Sequence, residues 1–314
     1  MKNWKLLIVI LIAALAENAI AQTSAYRFLL NETSARSAAM AGSFVAMTDD
    51  PNLIFSNPAG LSTIENPERA VSFGFLKNLL DVNAGYASVA LRWRNVGTIG
   101  AGIIYTNYGS FTRRDEVGND LGSFGAGDFA LLAGYSNEFA PEFFYGVNVR
   151  FIFSSIAGYH STAAATDFGL LYLIPDNGVA LGASLTNLGA QLSTYAGVRE
   201  RLPLDFSIGV AKQVEHLPLR LNLNFHQLNL ESSSVLGRFR AFTIGGEFTV
   251  SDAIRLRFGY DNARRSDLKI GATAGLAGFS IGAGILIDRY RFDYAFSSLG
   301  KIGGLHRVNV TFGF

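Results

Sequence analysis

The sequence predicts an all-β fold, a transmembrane antiparallel β-barrel of about 14 strands with an N-terminal plug-like segment. Hydrophobic and polar residues alternate with a period of two along most of the chain, as in RLNLNFHQ at 220–227. The alternating runs have about 8–12 residues, which suits strands that cross a bilayer at a tilt better than the ~5–6 residues usual in soluble sheets. Tight turns such as Asp176-Asn177-Gly178 and Ser251-Asp252 alternate with long charged connections at 112–127 and 195–203, which is typical of outer-membrane barrels.

The first 21 residues have the pattern of a secretory signal peptide. Lys2 and Lys5 precede an apolar run at 6–16, and a small-x-small site ends at Ala21. We therefore expect cleavage between Ala21 and Gln22, with an uncleaved anchor as the alternative. No later apolar run reaches about 18 residues, which excludes helical membrane spans.

Composition excludes several functional classes. The 314 residues include 49% hydrophobic residues, 25 Phe, 34 Gly and no Cys, and the net charge is +1. Disulfides and Cys-based metal or redox chemistry are impossible, and no charge excess supports nucleic-acid binding. The chain has neither a Walker A motif nor G-x-G-x-x-G, so we expect no cofactor. This composition indicates an exported bacterial envelope protein.

Residues 22–69 show little strict alternation and are predicted to form the plug. Asp49-Asp50-Pro51-Asn52 favours a turn with Asx capping, and a calcium site built from its oxygens is the alternative. Asn57, Pro58, Ala59 and Gly60 predict a second turn, which ends a short helical piece of the plug.

From residue 70 onward the chain reads as strands that form the barrel, at 70–314. We omit 267–275 because bacterial single-chain barrels close with even strand numbers. Lipid burial of Asn222, Asn224 and His226 would cost several kcal/mol, so this polar face is predicted to line the lumen. The predicted strands are 70–76, 83–92, 97–107, 127–139, 143–154, 165–174, 178–187, 204–213, 218–229, 239–249, 253–260, 278–287, 289–297 and 305–314.

Four strands carry an Asp followed by an aromatic and a small residue. In a barrel this pattern places the ring outward at the membrane interface, where it contributes to an aromatic girdle. Paired catalytic carboxylates are the alternative, but the four lie on different hairpins. The girdle residues are Phe129, Phe168, Phe206 and Tyr294.

The last predicted strand alternates up to its aromatic ends, Phe312 and Phe314. This pattern resembles the C-terminal insertion signal that the barrel-assembly machinery reads, so we expect that machinery as a partner during insertion. Outer-membrane lipid is the other expected partner, and the bacterial outer membrane is the expected location.

No pattern in the sequence predicts an enzyme or a metal centre. His160, His216, His226 and His306 lack metal-site spacing, so hydrogen bonding in loops or the lumen is expected. A hydrolase on the barrel requires Ser and His on one face of neighbouring strands. Ser161 follows His160 directly and faces the opposite way, so the sequence offers no such pair.

Two end segments resemble the PorV/PorQ family, outer-membrane proteins of the type IX secretion system of Bacteroidetes. Residues 26–62 and 293–314 carry the resemblance, which extends over nearly the whole mature chain. Residues 157–172 and 202–228 make the chain more similar to PorQ. The matching pieces are Phe28-Leu29, Ser34-Ala35-Arg36, Ala39-Met40-Ala41-Gly42, Asp49-Asp50, Asn57-Pro58-Ala59-Gly60-Leu61, Asp293-Tyr294-Ala295 and His306-Arg307, with Ala41-Gly42 where the family usually has Gly-Gly.

The resemblance implies a barrel related to the FadL fatty-acid transporters with the N-terminal segment inside as a plug. It also implies a non-enzymatic protein that anchors or assists a surface-exposed soluble component, a PorZ-like partner. The alternative is a FadL-like channel for hydrophobic small molecules such as long-chain fatty acids. Apolar residues predicted to face inward support that alternative: Leu132, Phe144, Ile152 and Leu171.

Overall fold

The computed structural model describes residues 26–64, 68–77, 81–230, 235–269 and 275–314, in which 14 antiparallel strands form one closed barrel. Each strand pairs with the next, and β14 pairs with β1. Ala21 and Gln22, the predicted cleavage site, lie outside the described residues. The strands are β1 Arg69–Lys77, β2 Asn83–Trp93, β3 Gly97–Arg114, β4 Asp120–Ala140, β5 Phe143–Ile156, β6 Tyr159–Ile174, β7 Val179–Ser193, β8 Asp205–Gln213, β9 Leu219–Phe225, β10 Phe242–Thr249, β11 Ile254–Asp261, β12 Phe279–Ile287, β13 Tyr290–Ser298 and β14 Gly304–Gly313.

The predicted strand number is confirmed. Omission of 267–275 agrees with the fold, because helix Asn262–Asp267 and a turn follow β11, and 270–274 lie outside the described residues. A second short helix, Val235–Arg238, precedes β10, which starts three residues later than predicted. No helix in the described part of the chain is long and apolar enough to cross a membrane.

The predicted loop at 112–127 is wrong in extent. β3 and β4 continue as a projecting hairpin whose loop is only 115–119, and Phe111 pairs with Phe124 inside this extension. A bulge between Asn107 and Ser110 precedes it. Side chains on both faces of the extension are mostly exposed, so no apolar side marks its strands in the sequence.

The barrel is apolar outside and largely polar inside, as the alternation predicted. On β5, Val149 and Phe151 are 58% and 46% exposed, whereas Asn148 and Arg150 are 0% and 3% exposed. This is the reverse of a soluble sheet, where the apolar face is covered. It is the arrangement in which strands meet lipid on one face and a lumen on the other.

Residues 26–64 fill the lumen, and we call them the plug. They form four short helices, at Arg27–Leu30, Ala35–Ala39, Pro51–Phe55 and Pro58–Thr63. Three of the four are capped at their starts by side chains, because Ser34, Asp50 and Asn57 accept hydrogen bonds from backbone N–H groups two or three residues later. Asn57 therefore opens a helix, whereas the sequence predicted a turn that ends one.

The plug runs from one end of the barrel to the other. Tyr26 hydrogen-bonds Ser161 near the start of β6, at the end that carries the long loops. Ser62 hydrogen-bonds Ser136 near the finish of β4, at the end that carries the short turns. The plug therefore occupies the whole length of the lumen.

Glycines of the wall mark the surface that the plug covers. A Cβ added at any of eight inward glycines would lie within 3 Å of a plug atom. At Gly146 it would lie 2.4 Å from the backbone of Pro58, and at Gly259 it would lie 2.4 Å from the Ala41 nitrogen. The plug backbone packs directly on the wall at these positions. The eight are Gly100, Gly102, Gly146, Gly169, Gly182, Gly245, Gly259 and Gly282.

Candidate functional site

The plug is held to the wall by buried ion pairs at the centre of the lumen. Arg36 of the plug lies 2.8 Å from Glu247 of β10 and 3.1 Å from Asp50 of the plug. Asp50 also lies 2.5 Å from Arg291 of β13. Arg257 of β11 pairs with Glu247 at 2.6 Å and with Asp293 of β13 at 2.7 Å. Three arginines and three carboxylates thus balance in charge, as buried ionic groups must.

A second cluster holds the plug near the long-loop end. Glu32 lies 2.5 Å from Arg264 in the helix after β11 and 3.2 Å from Arg307 of β14. Burial alone would raise the pKa of Glu32, but the two guanidinium groups outweigh it and hold this pKa at about 2. Glu32 is therefore ionised across the physiological range.

A third buried pair lies within the wall. Arg150 of β5 and Asp167 of β6 are 2.7 Å apart, and both side chains are fully covered. Asp167 also accepts a hydrogen bond from the backbone of Asn187, at a bulge where the β6–β7 register shifts. Asp167 of β6 therefore links β5 and β7 through polar contacts on the inner face of the wall.

A cavity of about 200 Å³ opens beside the plug at the long-loop end, and we call it the mouth cavity. Its lining combines apolar side chains of the plug with polar groups that converge from the plug and from neighbouring strands between β7 and β11. Its apolar lining includes Leu29, Leu30, Phe44, Val45 and Phe55, and its polar lining includes Glu32, Ser56, Asp205, Ser207, His226, Thr243, Asp261 and Arg264.

A chain of hydrogen bonds crosses the lining of the mouth cavity. Ser207 donates to Asp205 at 2.8 Å and lies 3.1 Å from His226 Nδ1. His226 Nε2 lies 3.0 Å from the Thr243 hydroxyl. Because the Ser207 proton is directed at Asp205, the pattern assigns the His226 proton to Nδ1 and makes Nε2 the acceptor of the Thr243 proton.

The expectation that no Ser–His pair shares a face is therefore wrong. Ile208 pairs with Phe225, so Ser207 and His226 are the next partners along the two neighbouring strands. Sequence reasoning missed them because 19 positions separate the two residues and only the strand register brings them together. The Ser207 hydroxyl donates to Asp205, whereas in a histidine-activated nucleophile the hydroxyl donates to the histidine.

The other predicted site residues lie as follows. Phe168 and Tyr294 are 44% and 43% exposed on the outer face, whereas Phe129 and Phe206 are half-buried. Three of the four preceding aspartates face the lumen and are buried: Asp128, Asp167 and Asp293. The girdle at the membrane interface stays a prediction, and so does the insertion signal at Phe312 and Phe314, whose rings stack at 5.6 Å.

The alternatives for metal binding gain no support from the described residues. No cluster of three or more His, Asp or Glu side chains suited to a metal occurs among them. In the Asp49–Asn52 segment, Asp50 caps a helix and pairs with two arginines. His306 lies beside Tyr294 at 2.8 Å, and the His160 ring stacks on Phe153.

Comparison with known proteins shows a likeness in fold to hydrocarbon-transport barrels. The Ralstonia pickettii toluene transporter TbuX is 15% identical, covers 90% of this chain and 98% of its own, and has a TM-score of 0.61. The Pseudomonas putida toluene transporter TodX is 15% identical over 91% and 99%, with a TM-score of 0.61. A Pseudomonas aeruginosa FadL homologue is 12% identical over 94% and 100%, with a TM-score of 0.59.

No family model and no curated protein matches this sequence. At these identities the structural likeness establishes the fold alone, a closed β-barrel of the kind that the toluene transporter TbuX and the FadL homologue have. The likeness does not test the resemblance to PorV and PorQ, which stays a prediction.

Proposed function

We propose that this chain is a non-enzymatic outer-membrane channel for hydrophobic small molecules, which it first binds in the mouth cavity. The observation that carries the proposal is a closed barrel with an internal plug that leaves a half-apolar cavity at the long-loop end. The known barrels of similar fold include two toluene transporters, which supports the same class of cargo.

Passage through such a barrel requires the plug to move. The helix Pro58–Thr63 occupies the short-turn end and packs on β4, β5 and β6. Ser62 in this helix donates to Ser136 of β4 at 2.8 Å, and both side chains are buried. A covalent link at this contact would hold the plug against the wall and stop passage.

A double-cysteine variant tests the proposal, and the chain has no cysteine of its own to interfere. Ser62→Cys with Ser136→Cys places two thiols where the hydroxyl oxygens lie 2.8 Å apart. A disulfide between them requires Cβ atoms ~3.5–4.5 Å apart. We expect cells that carry the variant to lose uptake of radiolabelled toluene under oxidising conditions and to recover it after reduction.

The matched control joins wall to wall. Ser280→Cys with Ser297→Cys replaces a hydroxyl pair 3.0 Å apart on β12 and β13 and leaves the plug free. Oxidation of this control should leave uptake unchanged. Equal uptake by cells with and without the unmodified protein would contradict the channel, as would full uptake by the oxidised Ser62–Ser136 variant.

A second candidate function is the anchoring of a surface-exposed soluble protein of the type IX secretion system, PorZ-like in kind. The resemblance motifs support it, since Arg36, Asp50 and Arg307 take part in ion pairs between plug and wall. Asp293 pairs within the wall, with Arg257. The projecting β3–β4 hairpin supplies a surface for docking, with Val117 83% exposed at its loop.

The anchoring function is tested by extraction in mild detergent with an affinity tag in the 194–204 loop. A stoichiometric exported protein that co-purifies, and is lost when residues 111–124 are replaced by a tight turn, would support anchoring. Recovery of lipid alone would count against it and leave the channel as the function.

A further inference from the structure

We infer that the mouth cavity selects single-ring molecules that carry an uncharged hydroxyl group, in preference to bare hydrocarbons and to carboxylates. This inference rests on the proposed channel and specifies its cargo. It follows from the volume of the cavity, from its unpartnered polar atoms and from the charges around it.

Volume limits the ligand to about one ring. The cavity measures about 200 Å³. An engineered apolar protein cavity of ~150 Å³ accommodates benzene, whereas drug-sized ligands occupy ~300–1,000 Å³. The mouth cavity therefore has room for a substituted benzene, whereas most of a long acyl chain would lie outside it.

Two polar atoms in the lining lack partners. Ser56 Oγ and Arg264 Nη1 are both buried and make no hydrogen bond within the described part of the chain. Buried polar groups are nearly always paired, and an unpaired one costs about 1–3 kcal/mol. Both residues line the mouth cavity, and a small rotation of either side chain would bring its unpaired atom within reach of a hydrogen-bonding group on a guest.

The hydrogen-bond chain adds acceptors to the same lining. The Thr243 proton is directed at His226, so the free lone pairs of this hydroxyl can only accept. Arg264 can only donate, and Ser56 can do either. A ligand hydroxyl, which both donates and accepts, matches this set, whereas a bare hydrocarbon leaves every one of these groups unpaired.

Charge disfavours an anionic ligand. The lining contains three acidic side chains, Glu32, Asp205 and Asp261, and one basic side chain, Arg264. Arg264 already pairs with Glu32 and lies 3.6 Å from Asp261. Asp205 accepts hydrogen bonds from the Ser207 hydroxyl and from the backbone of Gln227, and the described part of the chain shows no salt bridge to it. A carboxylate in this cavity would meet repulsion.

Three probes with the same ring and methyl group test the inference: p-cresol, toluene and p-toluate. Binding is measured by equilibrium dialysis against the full-length protein in lipid nanodiscs, with the signal of empty nanodiscs subtracted. We expect p-cresol to bind about 10-fold more tightly than toluene, the factor that one or two net hydrogen bonds supply. p-Toluate should bind more weakly than either.

The variant Thr243→Val removes the acceptor and keeps the shape. It should weaken p-cresol binding about 10-fold and leave toluene binding unchanged. Thr98→Val, at a buried threonine of β3 near the short-turn end, is the matched control and should change neither. If Thr243→Val does not fold, Ser56→Ala serves in its place with the same expected selectivity.

Equal affinities for p-cresol and toluene would overturn the inference and leave the channel intact. Tighter binding of p-toluate would overturn it as well. Failure of all three probes to bind would also overturn it, and the toluene uptake measurement with the Ser62–Ser136 variant would then decide the proposed function separately.

Discussion

Glu247 receives two arginines at once, Arg36 from the plug and Arg257 from the wall. Its side chain is largely covered, and its negative charge balances the positive charges of both guanidinium groups inside the lumen. Removal of one member of a buried ionic group leaves an uncompensated charge, which is more costly than the absence of the whole group. A few buried charged residues therefore provide much of the free energy that holds the plug to the wall, and substitution of these residues tests this.

Glu247→Gln should destabilise the barrel by about 3–5 kcal/mol, because it keeps the shape and removes the charge that faces Arg36 and Arg257. The measurement is urea unfolding of the protein in lipid vesicles. Glu68→Gln is the control, since its pair with Arg94 is exposed and should contribute at most about 1 kcal/mol. Equal effects of the two variants would show that the central ion pairs do not hold the plug.

The ionisation of Glu32 predicts a dependence on pH. Its pKa is about 2 in the folded barrel, below the ordinary 4.5. A lowered pKa contributes stability that is fully present above about pH 4.5 and is lost as the pH falls towards 2.

Glu32→Gln should therefore lower the melting temperature at pH 7, and its difference from the unchanged protein should shrink between pH 4.5 and 2. Melting curves of both proteins at pH 7, 4.5, 3 and 2 measure this difference. A difference that stays constant over this range would show that Arg264 and Arg307 do not lower the pKa of Glu32.

At the scale of elements, the strands could be predicted from the sequence, whereas the contacts between side chains inside the lumen could not. Alternation is local, so all 14 strands follow from it, down to the inward Asn222 and Asn224. The prediction failed for the β3–β4 extension, because both faces of this hairpin are exposed and its sequence does not alternate. The contact of Ser207 with His226 joins residues that are distant in sequence, and so does the close packing of the plug on the wall glycines. No local sequence pattern predicts such contacts.

Gly146→Ala should destabilise the barrel by about 1–3 kcal/mol. The new methyl group would lie 2.4 Å from the Pro58 backbone, so the plug or the strand must shift to accept it. Gly85→Ala on β2 is the control, since its Cβ would meet nothing closer than 3.7 Å. Thermal unfolding of both variants gives the comparison. A tolerated Gly146→Ala would mean that the plug does not press on β5.

At the scale of the whole molecule, the barrel is closed by the pairing of β14 with β1, from Ala70 opposite Gly313 to Lys77 opposite His306. The first and last strands are the most distant in sequence, and their pairing removes the last two open sheet edges. The aromatic residues that end β14 therefore lie beside this closing ladder.

Phe314→Ala should slow assembly in the outer membrane, because it removes the final aromatic of the predicted insertion signal beside the closing strand. The measurement is the fraction of heat-modifiable folded barrel after a pulse of synthesis. Phe258→Ala on β11 removes an outward ring of similar exposure, 45% against 48%, and should leave the rate unchanged. The same rate for both variants would contradict the signal.

The plug precedes every strand in the chain and spans the lumen from Tyr26 to Ser62, with both of these residues bonded to the wall. Once the first and last strands have paired, no gap remains through which the plug could be threaded sideways. We infer that the plug, which is made before every strand, is enclosed while the strands still form an open, curved sheet. On this inference the wall closes around a plug that is already in place, and the plug contacts help to align the strands before the first and last of them pair.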